Sequence, residues 1–211
     1  MELKYNRIDN YFSEVISKYF KNIEEIQILE IGCGERSCFN DTELNVIAID
    51  KSEVKIQKAK SVNNNGMISF LNYSIFDVEL EDDIDLVADP HCLHCLTGED
   101  IHSALGIINT ALKSNGILAS EVMISHSNMK FDDMDLLFDS PRLLYQHGNK
   151  VEQIRTILSA NDWEELLSEN GFKIEEFIVF EQFNFSAHPY REQSLQTDPQ
   201  VLRFIAKKSL Q

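Results

Sequence analysis

The sequence predicts an α/β protein: a doubly wound, mostly parallel seven-stranded sheet with helices on both faces, a C-terminal antiparallel hairpin and a lid-like insertion after strand five. Three observations carry this expectation. Short apolar runs alternate with stretches of helical period, the pattern of parallel strands joined by crossover helices. The last two apolar runs have no helix between them, so they are expected to pair with each other. Residues 127–160 fit no sheet element and are longer than an ordinary connection. With 211 residues, 43% of them hydrophobic, the chain can bury a substantial core and is read as one domain over 1–211.

Each element has its own signal. Tyr5 to Lys21 places Ile8, Tyr11, Phe12, Val15, Ile16, Tyr19 and Phe20 at helical spacing, an N-terminal helix within residues 1–24. Ile26 to Ile31 is a strand ending at Gly32-Cys33-Gly34, and Asn45 to Asp50 is a second, closed by an acid. Ser52 is placed to cap a helix running to Lys60. Met67 to Asn72 and Ile84 to Ala88 are the third and fourth strands, the latter followed by the irregular Asp89-Pro90-His91-Cys92-Leu93-His94-Cys95. Thr97 and Asp100 have the spacing of a capping box, opening a helix through Leu112 that stops near Gly116. Ile117 to Ile124 is the fifth strand. Asn161 is expected to cap a helix from Asp162 to Asn170, with Gly171 at its C-terminal cap. Phe172 to Phe183 and Val201 to Ala206 complete the sheet.

Charge and composition exclude several classes. Nineteen Lys and Arg stand against 35 Asp and Glu, a net charge of −16, so a phosphate backbone or an anionic membrane is a poor partner. No apolar run approaches the roughly 20 residues of a membrane-spanning helix. The start, MELKYNRIDNYFSEV, lacks the basic and apolar regions of a signal peptide, so a cytoplasmic protein with reduced cysteines is expected.

The informative stretch is Ile28-Leu29-Glu30-Ile31-Gly32-Cys33-Gly34. Glycines at a strand end let the chain turn sharply and let a ligand approach the backbone. An acid at the end of the next strand, Asp50, can accept both hydroxyls of a ribose. A dinucleotide site would require a third glycine where Ser37 stands, and Glu30 would repel a pyrophosphate. A carboxylate there suits an ammonium group instead, so the ligand reads as a nucleoside with a cationic tail.

On these residues the sequence resembles the class I S-adenosylmethionine-dependent methyltransferases over nearly its whole length. Ser74-Ile75-Phe76-Asp77-Val78 is similar to the family's third-strand acid region, Asp85 to Asp89 with His91 to Leu96 to its fourth strand and loop, and Leu112 to Leu118 to its approach to strand five. The resemblance implies S-adenosylmethionine as cofactor. It assigns Glu30, Gly32 and Gly34 to the methionine end with Cys33 beside them, Asp50 to the ribose, Lys51 and Ser52 to the adenine face, Asp77 with Phe76 to the adenine amine, and Asp89 to the same site. Arg36 stands where members often carry a further glycine, which alters the expected loop shape.

Acceptor-facing residues follow strand four in this family, so His91 and His94 are the candidate catalytic bases, with His126 and His188 at the same end of the sheet. Asp89-Pro90 continues as His-Cys rather than as the Pro-aromatic of amino-directed members, which argues against DNA methylation. Cys92 and Cys95, with Cys33 and Cys38 expected nearby, are read as small buried residues rather than a metal site. The insertion holds Phe131, Met134, Leu136, Leu137, Phe138, Leu143, Leu144 and Tyr145, with Arg142, His147 and Arg155; it suits a cover over a small-molecule pocket, a packing helix or a homodimer surface. Transfer to a small organic acceptor is the leading function. The alternatives are a protein methyltransferase, a non-catalytic cofactor-binding module and a metalloid methyltransferase.

Overall fold

The computed structural model describes residues 6–63, 66–128, 134–137, 140–147, 150–181 and 199–209, with backbone alone for those between 134 and 154. In chain order the strands are β1 (Gln27–Ile31), β2 (Asn45–Ile49), β3 (Ile68–Leu71), β4 (Ile84–Pro90), β5 (Leu112–Ile124), β6 (Met134–Leu137), β7 (Ser140–His147), β8 (Lys150–Thr156), β9 (Phe172–Phe180) and β10 (Gln200–Lys208). Seven of them form one sheet in the order β3-β2-β1-β4-β5-β10-β9. The pairs among β1 to β5 are parallel, while β10 runs antiparallel to both β5 and β9. The expected hairpin is present. Strand order reverses between β1 and β4, and in such sheets the crevice at the carboxyl ends of these two strands is where a ligand binds.

Helices α1 (Ile8–Tyr19), α2 (Glu53–Val62), α3 (Gly98–Ala111) and α4 (Ala160–Glu169) cover the sheet. Successive strand residues point to opposite faces, so Ile28 and Leu29 enter different cores. On one face Tyr11, Phe12, Val15 and Ile16 of α1 and Ile56 and Ala59 of α2 pack with Ile28, Val46, Leu86 and Ala119. On the other, Ile101 and Leu105 of α3 and Trp163 and Leu167 of α4 pack with Leu29, Val87, Leu118 and Phe204. Burial on both faces is what made the central strands read as continuous apolar runs.

Three expectations need correction. Helix α4 begins two residues early: Ser159 caps it, accepting from the Asp162 N–H while the Asp162 carboxylate accepts from the Ser159 N–H. This reciprocal pair satisfies two orphan donors, leaving Asn161 inside the first turn. Helix α3 stops at Ala111 rather than near Gly116, because Leu112 already pairs with Ile84 in the sheet. The insertion, expected to carry no sheet element, forms a separate antiparallel sheet in the order β6-β7-β8. Its partners lie within the same segment, and alternations such as Met134-Asp135-Leu136 suit a strand as well as a loop. Among the described residues no helix is long and apolar enough to cross a membrane.

Candidate active site

The carboxyl ends of β1 and β2 hold two carboxylates about a glycine turn. Glu30, on β1, is fully buried. Its Oε1 accepts from the Cys38 N–H at 2.8 Å, and Oε2 is buried with no hydrogen-bond partner. Burial raises its pKa to about 7, against the opposing pull of the Cys38 amide and Ser37. Asp50, just past β2, accepts from the Gly34 N–H at 3.1 Å and the Ser52 N–H at 2.8 Å. Gly32 has φ +67°, and a Cβ added to it would lie 2.7 Å from Cys92 Cβ. Only glycine meets both demands. Gly34 has φ +63° but open space around it, so its requirement is conformational alone.

Beside this turn lies a cavity of about 110 Å³ lined by Ile31, Gly32, Asp50 and Lys51 on one side and by His91, Cys92, Cys95 and Leu96 on the other. Ile49, Lys55, Tyr73, Ser74 and Ile75 complete its wall. It occupies the crevice that the strand order marks out. The loop after β4 forms its far side and is anchored by Asp89. That buried carboxylate accepts from the N–H groups of Cys92 and Leu93 and from the Ser120 hydroxyl. Burial raises the Asp89 pKa to about 6 in spite of those bonds.

The same loop carries both histidines. His94 is fully buried, and its Nδ1 accepts from the Met123 N–H at 3.4 Å. Burial, with His91 and Arg155 nearby, holds it well below the usual histidine range, so it is neutral with its proton on Nε2. His91 has φ +88°, and its Nε2 lies 2.8 Å from Glu121 Oε1. Glu121 Oε2 receives Nε of Arg203 at 2.6 Å. Burial pushes the Glu121 pKa up, but the His91 hydrogen bond and the Arg203 charge outweigh it and leave it lowered.

The sequence profile of the methyltransferase domain family matches residues 23–174, well over half of the 211 residues. The chain belongs to that family. Solved structures share its fold. A S-adenosylmethionine-dependent methyltransferase from Methanosarcina mazei aligns with TM-score 0.73 at 17% identity, over 93% of this chain and 98% of its own. The 1,6-didemethyltoxoflavin-N1-methyltransferase of Burkholderia thailandensis aligns with TM-score 0.63 at 15% identity, over 100% of this chain and 94% of its own. The [4+2]-cyclase SpnF aligns with TM-score 0.70 at 14% identity, over 96% of this chain and 82% of its own. No curated protein matches the sequence.

In this methyltransferase-family chain the expected site residues separate into two groups. Glu30 is buried at the β1 end, and Gly32, Asp50, Lys51 and His91 line the cavity. Ser52 instead caps α2, accepting from the Lys55 N–H. Asp77 is exposed and accepts from the Ser74 N–H in a capping box, and the Phe76 side chain is 43% exposed; neither lines the cavity. Asp89 spends one oxygen on the loop amides and the other on the Ser120 hydroxyl of β5. Cys33 and Cys38 pack on the α1 face, while Cys92 packs on the other, so the four cysteines do not converge. None of the four forms a disulfide among the described residues, and no group of three or more metal-ligating side chains occurs among them. His126 accepts from the Asn128 N–H; His188 and the side chains of Arg142 and His147 lie outside the described residues. Sequence reading missed Tyr73, Lys55, Glu121 and Arg203. The last two had a signal: a lone acid and a lone base inside the apolar runs of central strands.

Proposed function

We propose that the protein transfers a methyl group from S-adenosylmethionine to a small organic acceptor. The observation that carries this reading is Glu30, a fully buried carboxylate with an unpartnered oxygen beside the glycine turn at the sheet's switch point. A buried acid in that state needs a cationic or donating partner. The residues present fit the cofactor. Glu30 and the Gly32 turn suit an ammonium tail, Asp50 keeps lone pairs for ribose hydroxyls, and Ile49, Ile75 and Tyr73 offer apolar surface to a base.

When bound, S-adenosylmethionine supplies a methyl already activated by its sulfonium, so the protein's main task is alignment. An arriving ammonium holds Glu30 ionised, which burial alone opposes. Asp50, fixed by the Gly34 and Ser52 amides, sets the position of the nucleoside along the cavity. Cys92, packed against Gly32, and His91 line the cavity across from Asp50, and we assign the acceptor to their side. The Burkholderia structure, which holds S-adenosylhomocysteine and a small-molecule acceptor, supports a small acceptor here.

Isothermal titration with S-adenosylhomocysteine tests the cofactor. Micromolar binding by the wild type is expected, and Asp50→Ala should weaken it by about 100-fold or more, as two charge-assisted hydrogen bonds are lost. No binding by the wild type at high micromolar concentration would overturn the reading. Label from S-adenosylmethionine should pass into the small-molecule fraction of a cell extract; incorporation into protein alone would refute the assigned acceptor class.

A further inference from the structure

We infer that Glu121 and Arg203 are positioning residues that make Nδ1 of His91 a general base, and that the acceptor is therefore one that must lose a proton, a hydroxyl or an N–H group. This rests on the S-adenosylmethionine reading above.

The chain of reasoning runs inward from Arg203. It stands directly opposite Glu121 in the antiparallel β10–β5 ladder, and both side chains are buried. Its Nε binds Glu121 Oε2 at 2.6 Å, one terminal nitrogen binds the Asn6 side chain, and the other binds the Asn6 carbonyl at 2.6 Å. Its guanidinium carbon also lies 4.6 Å from the Tyr11 ring centre and 5.3 Å from that of Phe180. A guanidinium held on its edges and its faces cannot turn, so Glu121 is fixed and kept ionised. An ionised carboxylate only accepts. The 2.8 Å contact from Glu121 Oε1 to His91 Nε2 therefore requires a proton on Nε2, which in the neutral imidazole leaves the lone pair on Nδ1.

Nδ1 of His91 is buried and has no hydrogen-bond partner among the described residues. It is a basic nitrogen with no structural use, on a ring that lines the cavity. The backbone confirms that the placement is imposed. At φ +88° a side chain is strained where glycine would be at ease, and such strain persists where the surroundings over-determine it. His94 cannot take this role, because its Nδ1 already accepts from the Met123 N–H and its remaining nitrogen is a donor.

The step balances without another reagent. The acceptor's oxygen or nitrogen gives its proton to Nδ1 as it bonds to the methyl carbon. The carbon–sulfur bond breaks with its electron pair kept by sulfur, so a sulfonium becomes a thioether and the imidazole an imidazolium. Glu121 stabilises that cation until its proton passes to water.

Nitrogen NMR of the full chain with labelled histidines and bound S-adenosylhomocysteine, at alkaline pH, reads the tautomer directly. In the wild type, neutral His91 should carry its proton on Nε2. In Glu121→Gln the amide oxygen keeps the Arg203 bond and the amide NH₂ faces His91, so the proton should move to Nδ1. Wild-type His91 protonated on Nδ1, or a tautomer unchanged in Glu121→Gln, would overturn the inference. With any acceptor the enzyme turns over, Glu121→Gln should lower kcat at least about 100-fold while KM for S-adenosylmethionine holds; an unchanged kcat counts equally against it. Retained S-adenosylhomocysteine binding separates failure of this inference from failure of the cofactor reading. His91→Gly, which removes the base and relieves the strain, is the second variant: it should fold and recover turnover with added imidazole, and recovery without imidazole would refute the base.

Discussion

Two glutamates in this protein are fully buried, on neighbouring regions of one sheet, and they titrate in opposite directions. Glu30, at the end of β1, has one amide donor and an orphaned oxygen, and burial raises its pKa to about 7. Glu121, on β5, has a guanidinium on one oxygen and an imidazole on the other, and its pKa is lowered. Both are closed to solvent and burial pushes both upward, so the difference in partners is what sets their shifts in opposite directions. The Glu30 end of the cleft is left incomplete, and the Glu121 end is completed by the chain itself. An incomplete carboxylate can still take a donor from a ligand; a completed one fixes the groups it binds.

The largest effect should come from breaking the completed side. Glu121→Ala leaves Arg203 as an uncompensated buried charge, and urea unfolding should show a loss of about 3–5 kcal/mol. A loss under ~1 kcal/mol would mean that water reaches Arg203, and the contrast with Glu30 would collapse.

Glu30→Gln should do the reverse. A carboxyl with a raised folded pKa stabilises below its unfolded pKa of 4.5 and loses that contribution as pH rises through about 7. Without ligand, Glu30→Gln should therefore be more stable than the wild type by about 3 kcal/mol at pH 8, the gain shrinking toward pH 5. Its S-adenosylhomocysteine affinity should fall. Glu121, with a lowered pKa, contributes stability above the ordinary glutamate pKa and loses it as pH falls below that range. Equal stability of Glu30→Gln and the wild type at pH 8 would show that Glu30 is already satisfied.

The smallest effects distinguish the two glycines of the turn. Gly34→Ala should cost about 1–2 kcal/mol, from its positive φ alone. Gly32→Ala should cost more, because the new Cβ also meets Cys92. The double variant with Cys92→Gly should recover the clash but not the strain, and a thermal-unfolding cycle would show this. Equal costs at the two positions would place Cys92 further from the turn.

How much of this was legible depends on how local each feature is. The glycine turn, Glu30 and Asp50 lie within 21 residues of chain, and Ser52 and Thr97 cap their helices as expected. Caps and strand-end turns are set by neighbours in sequence, which a reading of the chain can see. Where two polar residues competed, as Ser159 and Asn161 did, the reciprocal pair with Asp162 decided, and spacing alone could not rank them. Asp77 and Phe76 followed from resemblance, but a capping bond holds the one and the surface takes the other.

The sequence by itself determined the order of the seven main-sheet strands, the alternation that builds a doubly wound sheet, and the glycine turn after its first strand. Those follow from periodicity and local backbone chemistry. Only the tertiary structure decided which histidine meets the buried Glu121 carboxylate. His91, Glu121 and Arg203 are separated by 30 and 82 residues, and the β4–β5–β10 register alone brings them into contact. A lone charge in an apolar run announces that a partner exists; identifying the partner requires knowing which strands are neighbours.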